Sequence, residues 1–290
     1  MSMKTTTKSF NFDYIIIGSG PAGRTEALKF KKSGKNVAIV EMNKIGGAEI
    51  TTYELPFTLA LDFSRIYHDY TTSPVTKNTP HHFNFPTLTN YIKKEISKKS
   101  ADLKSELENA GIEIIPGFAH FLDQNTIAIG DKKFTAANFV LATGSKLKPN
   151  KIPGLDHIKY LTPENVFKIR KLPRFVFVIG NTVVSKKITE FFENLGVGVI
   201  RNSKVSEVAE DRKSKIVYFT DDTGKKMVRV DTIVLATGSE PFLDYSLENA
   251  EVEYKRSGIV VNKHSRTSAK NIYAVGECAN GSWQNNVCAI

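Results

Sequence analysis

The chain has 290 residues, 41% hydrophobic and 24% charged, with a formal net charge of +10. That describes a globular chain of one or two domains, and no apolar run approaches the ~18 residues of a membrane span. The lysines and arginines are scattered and alternate with apolar residues, as on solvated helix faces, so neither a nucleic-acid nor a membrane partner is expected.

The N-terminal MSMKTTTKSFNF is basic and hydroxyl-rich but short and without an apolar stretch, which reads as an untargeted cytoplasmic protein. Residues 13–41 then form a complete βαβ pattern. An apolar strand, Tyr14 to Ile17, runs into Gly18, Gly20 and Gly23, spaced G-x-G-x-x-G. A helical run to Ser33-Gly34 follows, and a second strand, Val37 to Val40, ends on Glu41. Gly18 permits the sharp turn, Gly20 lets a pyrophosphate approach the backbone, and Gly23 lets helix and strand pack closely. The helix N-terminus offers free N–H groups and partial positive charge to the phosphates. Glu41 is placed to accept hydrogen bonds from both hydroxyls of an adenosine ribose.

A loop with Gly46-Gly47 comes next. Residues 48–70 carry mixed helical signals interrupted by Pro56, and 71–86 read as a polar loop with three prolines. His81-His82 lie in it without a third metal ligand nearby and read as exposed loop residues. Residues 87–110 are a long amphipathic helix on Leu88, Tyr91, Ile92, Ile96, Leu103 and Leu107. Short strands follow at 112–115, and a hairpin spans 125–129 and 132–135 around Gly130-Asp131.

The segment Phe139-Val140-Leu141-Ala142-Thr143-Gly144-Ser145 returns almost residue for residue as Ile233-Val234-Leu235-Ala236-Thr237-Gly238-Ser239, with a proline after each copy. A second βα start at Phe175 to Gly180 precedes the second copy. Two related nucleotide-binding-type units are expected, the second inserted into the first. The expected fold is α/β: a Rossmann-type domain of about 1–147 plus 244–290, with a reduced domain of about 148–243. A strand is expected at Gly258 to Asn262, and the chain closes with Ile272-Tyr273-Ala274-Val275-Gly276-Glu277 before Cys278 and Cys288. Two cysteines make no disulfide framework and show no metal-ligand spacing.

Taken together, the glycine turn with Glu41, the two A-T-G turns and the late I-Y-A-x-G-[DE] segment resemble the pyridine nucleotide–disulfide oxidoreductases, the group of dihydrolipoamide dehydrogenase, glutathione reductase and mercuric reductase. The likeness covers nearly the whole chain and implies FAD in the first domain. By that pattern Gly18, Gly20, Ala22 and Gly23 hold the pyrophosphate, with Gly46 and Gly47 beside them. Glu41 holds the ribose, the backbone at Ala119 meets adenine, Thr143-Gly144 closes over the cofactor, and Gly276 and Glu277 reach the ribityl–phosphate part.

Departures from that pattern are equally informative. The redox motif G-G-x-C-x-x-x-x-C-x-P aligns with Gly46 to Pro56, where Glu49 and Glu54 stand in place of both cysteines. A carboxylate neither attacks nor forms a disulfide, so this route of thiol exchange is closed. Glu49 and Glu54 are the candidate acid–base residues, with plain solvated carboxylates as the alternative. At the second site Thr182 and Ser185 replace glycines, and Lys187 stands where relatives carry a nicotinamide-contacting glutamate, so NAD(P)H binding is expected to be impaired. Arg201 and Lys204 are candidates for a 2′-phosphate. The interface domain of relatives has no counterpart after Glu277, so their usual dimer is not expected. Two functions follow: electron transfer from NAD(P)H to a small acceptor without a dithiol relay, or a degenerate relative that binds FAD or another adenine dinucleotide and acts as a sensor or partner subunit.

Overall fold

The computed structural model describes residues 10–79, 83–202, 204–211 and 214–280. In chain order the elements are β1 (Phe12–Ile17), α1 (Pro21–Lys32), β2 (Val37–Glu41), α2 (Gly47–Thr51), α3 (Glu54–Thr72), α4 (Phe85–Asn109), β3 (Glu113–Pro116), β4 (His120–Asp123), β5 (Thr126–Ile129), β6 (Lys132–Leu141), β7 (Ser145–Leu147), β8 (Phe175–Ile179), α5 (Val183–Asn194), β9 (Gly198–Asn202), β10 (Val205–Asp211), β11 (Ser214–Asp221), β12 (Gly224–Val230), β13 (Thr232–Leu235), β14 (Ser239–Pro241), β15 (Tyr254–Lys255), β16 (Gly258–Ile259) and β17 (Ile272–Ala274).

The contacts divide the chain into two units. The first holds Met1–Ala48, Lys99–Lys146 and Glu240–Ile290; the second holds Glu49–Lys98 and Leu147–Ser239. Residues 49–98, placed in the first domain by sequence, thus group with the second unit. The reason lies in one core: Phe57, Leu61, Phe85, Leu88 and Ile92 pack with Val176, Phe191, Phe192 and Val234.

In the first unit β3-β2-β1-β6-β17 run parallel, and β4 and β5 extend the sheet antiparallel beyond β6. Strand β6 serves both parts. Lys132–Thr135 pair antiparallel with β5, and Ala136 to Leu141 pair parallel with β1. The unbroken apolar runs of β1 and β2 suit a sheet covered on both faces, and Ile15, Ile16 and Ile39 are fully buried. Helix α1 packs on this sheet through Phe30, whose ring stacks on Tyr14 with centroids 3.9 Å apart. Strand order reverses between β1 and β6, and the carboxyl ends of these strands form the crevice where ligands of open α/β sheets bind.

The second unit repeats the plan in smaller form. Strands β13-β8-β9 run parallel, and β10-β11-β12 form a separate antiparallel sheet. Helices α3 and α5 lie side by side, with Asn194 donating to Ser64 Oγ (3.1 Å) and Arg65 Nε donating to Glu190 Oε1 (2.8 Å). The repeat extends to atomic detail. A Cβ at Gly18 would lie 2.2 Å from the Ala142 carbonyl oxygen, and one at Gly180 would lie 2.1 Å from that of Ala236.

The long amphipathic helix expected at 87–110 is α4, and the mixed signals before it resolve into α2 and α3. Pro56 falls in the first turn of α3, where a missing N–H costs little. The expected strand at Gly258 to Asn262 stops at Ile259. The Asn262 side chain accepts from the backbone N–H groups of His264 (2.9 Å) and Arg266 (3.1 Å), which turns the chain instead. His81, His82 and Cys288 lie outside the described residues. Among the described residues no helix is long and apolar enough to cross a membrane, and no cluster of His, Cys, Asp or Glu could hold a metal ion.

Phe191 is fully buried and its ring meets those of Phe85, Phe167 and Phe192. Phe191→Ala is expected to cost the second unit about 3–5 kcal/mol, measured by urea unfolding followed by circular dichroism.

Candidate dinucleotide site

The first unit gathers its glycine turn, Glu41 and the A-T-G turn at the carboxyl ends of β1, β2 and β6. Gly18 has φ +108°, and its missing side chain lets the Ala142 carbonyl approach. A Cβ at Gly23 would fall 2.1 Å from the Gly18 carbonyl oxygen, so helix and turn pack at glycine distance. Gly20 is the N-cap of α1. It is extended (φ −64°, ψ 179°), makes no side-chain cap bond, and is followed by Pro21, which has no N–H. The first turn of α1 therefore keeps its N–H groups free of a side-chain cap, and a Cβ at Gly20 would meet nothing within 4 Å. An open, uncapped helix start fits a pyrophosphate.

The other residues singled out by sequence fall around this turn. Gly47 has φ +66°, and a Cβ there would lie 2.7 Å from Gly20 Cα, so the Gly46-Gly47 loop lies directly on the turn. A Cβ at Gly276 would lie 3.3 Å from Ala22 Cβ. Thr143 donates its hydroxyl to the Phe242 carbonyl at 2.9 Å, and the Phe242 N–H donates to the Gly144 carbonyl at 3.0 Å. Exposed Glu277 accepts from the Ser145 hydroxyl. Ala119 is fully buried, two residues after Gly117, whose N–H donates to the Glu41 carbonyl at 2.9 Å.

Glu41 itself is held by its own chain. Its Oε2 accepts from the Ser19 hydroxyl (2.6 Å) and the Ser19 N–H (3.0 Å), and its Oε1 accepts from the Asn43 N–H (2.9 Å). No sequence signal pointed to Ser19 or Asn43. An aromatic group beside Ala119 was also missed: Tyr245 stacks on Phe118 at 4.9 Å and meets Phe242 at 5.4 Å. Burial, and then the Glu41 charge, push the Tyr245 phenol up, so it stays neutral. Cys278 is a packing residue. It is buried, its single S–H lies between the Leu141 and Val275 carbonyls, and burial pushes its pKa up.

In the second unit the matching helix start is closed. Thr182 is the N-cap of α5. Its hydroxyl oxygen accepts from the Ser185 N–H at 3.0 Å, and the Ser185 hydroxyl lies 2.8 Å from the Thr182 nitrogen, which donates to it. This reciprocal capping box takes up two N–H groups that a pyrophosphate would need. The Thr182 hydroxyl also donates to the Ala236 carbonyl at 3.1 Å. These residues do not fit a coenzyme pyrophosphate.

The two charge changes noted in the sequence meet in the same unit. Lys187 Nζ lies 2.9 Å from Glu54 Oε2, because α3 and α5 start side by side. The Lys187 hydrogen bond holds the Glu54 carboxyl below its ordinary value of 4.5. The contribution of the pair to stability is complete above that value and is lost as pH falls through the lowered one. Because Glu54 is exposed, screening limits it to about 1 kcal/mol or less. Glu49 is half-buried on α2, and Arg201 and Lys204 are exposed near the end of β9.

Residues 12–188 and 181–290 match the pattern of the family described as pyridine nucleotide-disulphide oxidoreductase. The chain belongs to that family. It is 25% identical to a mercuric reductase of Bacillus cereus over 94% of this chain and 49% of that protein. It is 25% identical to a glutathione reductase of Nostoc sp. (93% and 68%), and 27% identical to a soluble pyridine nucleotide transhydrogenase of Vibrio cholerae (92% and 66%). The chain thus spans about half to two thirds of the length of these relatives. The fold is shared with the HOCl-induced flavoprotein disulfide reductase RclA from Escherichia coli, with a TM-score of 0.80 at 19% identity, over 94% of this chain and 67% of that one.

Two substitutions test this geometry. Gly20→Ala has open space and a permitted φ, so stability should stay within about 1 kcal/mol of wild type, while ADP binding, read by calorimetry, should weaken at least about tenfold as the methyl group meets the phosphates. In Lys187→Met, the Glu54 carboxyl should titrate nearer its ordinary pKa by NMR. The stability gap to wild type should also shrink as pH drops below the ordinary carboxylate value of 4.5.

Proposed function

We propose that the first unit binds FAD and that the protein is an oxidoreductase passing electrons from NAD(P)H to an acceptor without a dithiol relay. The observation that carries this is the open, uncapped start of α1 beneath Gly18–Gly20, with Glu41 fixed at the end of β2. Bound FAD would supply one- and two-electron transfer. The chain's own part is to bind and orient. The α1 start and Gly20 would take the pyrophosphate, Glu41 the ribose, and the Thr143–Gly144 turn with Gly276 and Glu277 would line the remaining length. Relatives named as reductases and as a pyridine nucleotide transhydrogenase support electron transfer as the activity.

Where the resemblance places a dithiol, this chain has Glu49 and Glu54, and a carboxylate cannot enter disulfide exchange. Glu54 is committed to Lys187. The start of α5 does not fit a coenzyme pyrophosphate, so in this reading NAD(P)H would reduce the flavin without its pyrophosphate being held there. That capping box favours a second reading, in which the chain binds FAD without nicotinamide turnover and serves as a sensor or partner subunit.

The visible spectrum of the purified protein, before and after anaerobic NADH, NADPH and then dithionite, separates the two. Bleaching of a yellow protein by either coenzyme supports the oxidoreductase. Bleaching by dithionite alone supports the binding-only reading. A colourless protein that cannot be loaded with FAD removes both.

A further inference from the structure

We infer that Ser19 is a positioning residue for the ribose site: it turns Glu41 into a single-sided acceptor and couples it to the Gly46-Gly47 loop. This rests on the FAD reading and concerns how this chain shapes that site.

Ser19 stands between Gly18 and Gly20 in the glycine turn and is completely buried. Its hydroxyl has one proton to give. The Gly46 N–H donates to Ser19 Oγ at 3.1 Å, so that side of the oxygen is occupied as an acceptor. The proton is thereby aimed at Glu41 Oε2, 2.6 Å away, in a short charge-assisted bond. The Ser19 N–H donates to the same carboxylate oxygen at 3.0 Å.

A carboxylate offers about two acceptor positions per oxygen. Both on Oε2 are filled by Ser19. On Oε1, the Asn43 N–H fills one. Among the described residues, Oε2 is therefore the more occupied oxygen and Oε1 the one turned to a ribose hydroxyl, in place of the even two-hydroxyl grip that the place of Glu41 in the sequence suggests. Ser19 fixes which oxygen faces outward. Through Gly46 it also ties the carboxylate to the loop whose Gly47 lies against Gly20. Ribose recognition and the lid of the pyrophosphate turn thus share one buried hydroxyl.

The test is a thermodynamic cycle on the apoprotein. Binding of ADP and of 2′,3′-dideoxy-ADP to wild type and Ser19→Ala is measured by calorimetry, with competition by FAD to assign the site. The substitution opens a position on Oε2 but releases the carboxylate from its fixed orientation and from Gly46, and ADP affinity should fall roughly tenfold. Affinity for the dideoxy probe should fall by less than about twofold, since that probe has no hydroxyl for Glu41 to hold. Equal losses for both probes would make Ser19 a merely structural residue, and no loss for ADP would remove its role altogether. Either result overturns the inference while leaving FAD binding intact. If wild type binds neither FAD nor ADP, the flavin reading fails and this inference falls with it. The melting temperature of each apoprotein confirms that the variant is folded.

Discussion

Two carbonyl oxygens set the architecture of this chain. At the end of β1 the Ala142 carbonyl sits where a Cβ of residue 18 would be, and at the end of β8 the Ala236 carbonyl does the same to residue 180. Each contact locks the exit of one strand onto the exit of its parallel neighbour. Strand order reverses at that point, which leaves the following turn and helix start at the mouth of a crevice. Only glycine tolerates both the approach and the positive φ of +108° and +138°. The rest of each unit holds these strand ends in register.

On this shared frame the two helix starts have opposite chemistry. Gly20 leaves α1 without a side-chain cap, so its first turn offers N–H groups to a ligand. Thr182 and Ser185 satisfy those of α5 from within. A capped helix start is more stable by about 1 kcal/mol than a bare one, so the start of α5 is stabilised from within its own turn. The Glu54–Lys187 pair likewise satisfies its charges within the unit, at two positions that the family resemblance links to redox and nicotinamide chemistry.

Much of this was legible in the sequence because it depends on local spacing. The βαβ unit, the repeated A-T-G turns and the long helix ending near Asn109 are encoded within short windows. What escaped notice depends on which surfaces meet. The apolar faces of α3 and α4 say that they are buried, not against what, and only their packing on Phe191 and Phe192 assigns residues 49–98 to the second unit. Glu54 and Lys187 are 133 residues apart, so their pairing is invisible to any pattern. Thr182 and Ser185 could be read as lost glycines, but a Thr-x-x-Ser box is a weak signal beside the Ser/Thr-x-x-Glu form. Ser19 carries no local signal, because its contacts depend on where Glu41 and Gly46 return to it.

The dual use of β6 bears on how the protein is made. Its last residues, Phe139 to Leu141, are paired on one side with β1 and on the other with β17, at residues 272–274. The last residue of the second unit is Ser239. During synthesis every part of the second unit therefore leaves the ribosome before the strand that completes the first. Until Ala274 emerges, β6 exposes an unpaired parallel edge beside an otherwise assembled sheet, the kind of surface that pairs with the wrong chain. Between the emergence of Ser239 and that of Ala274, one unit is able to close while the other is still open at its centre.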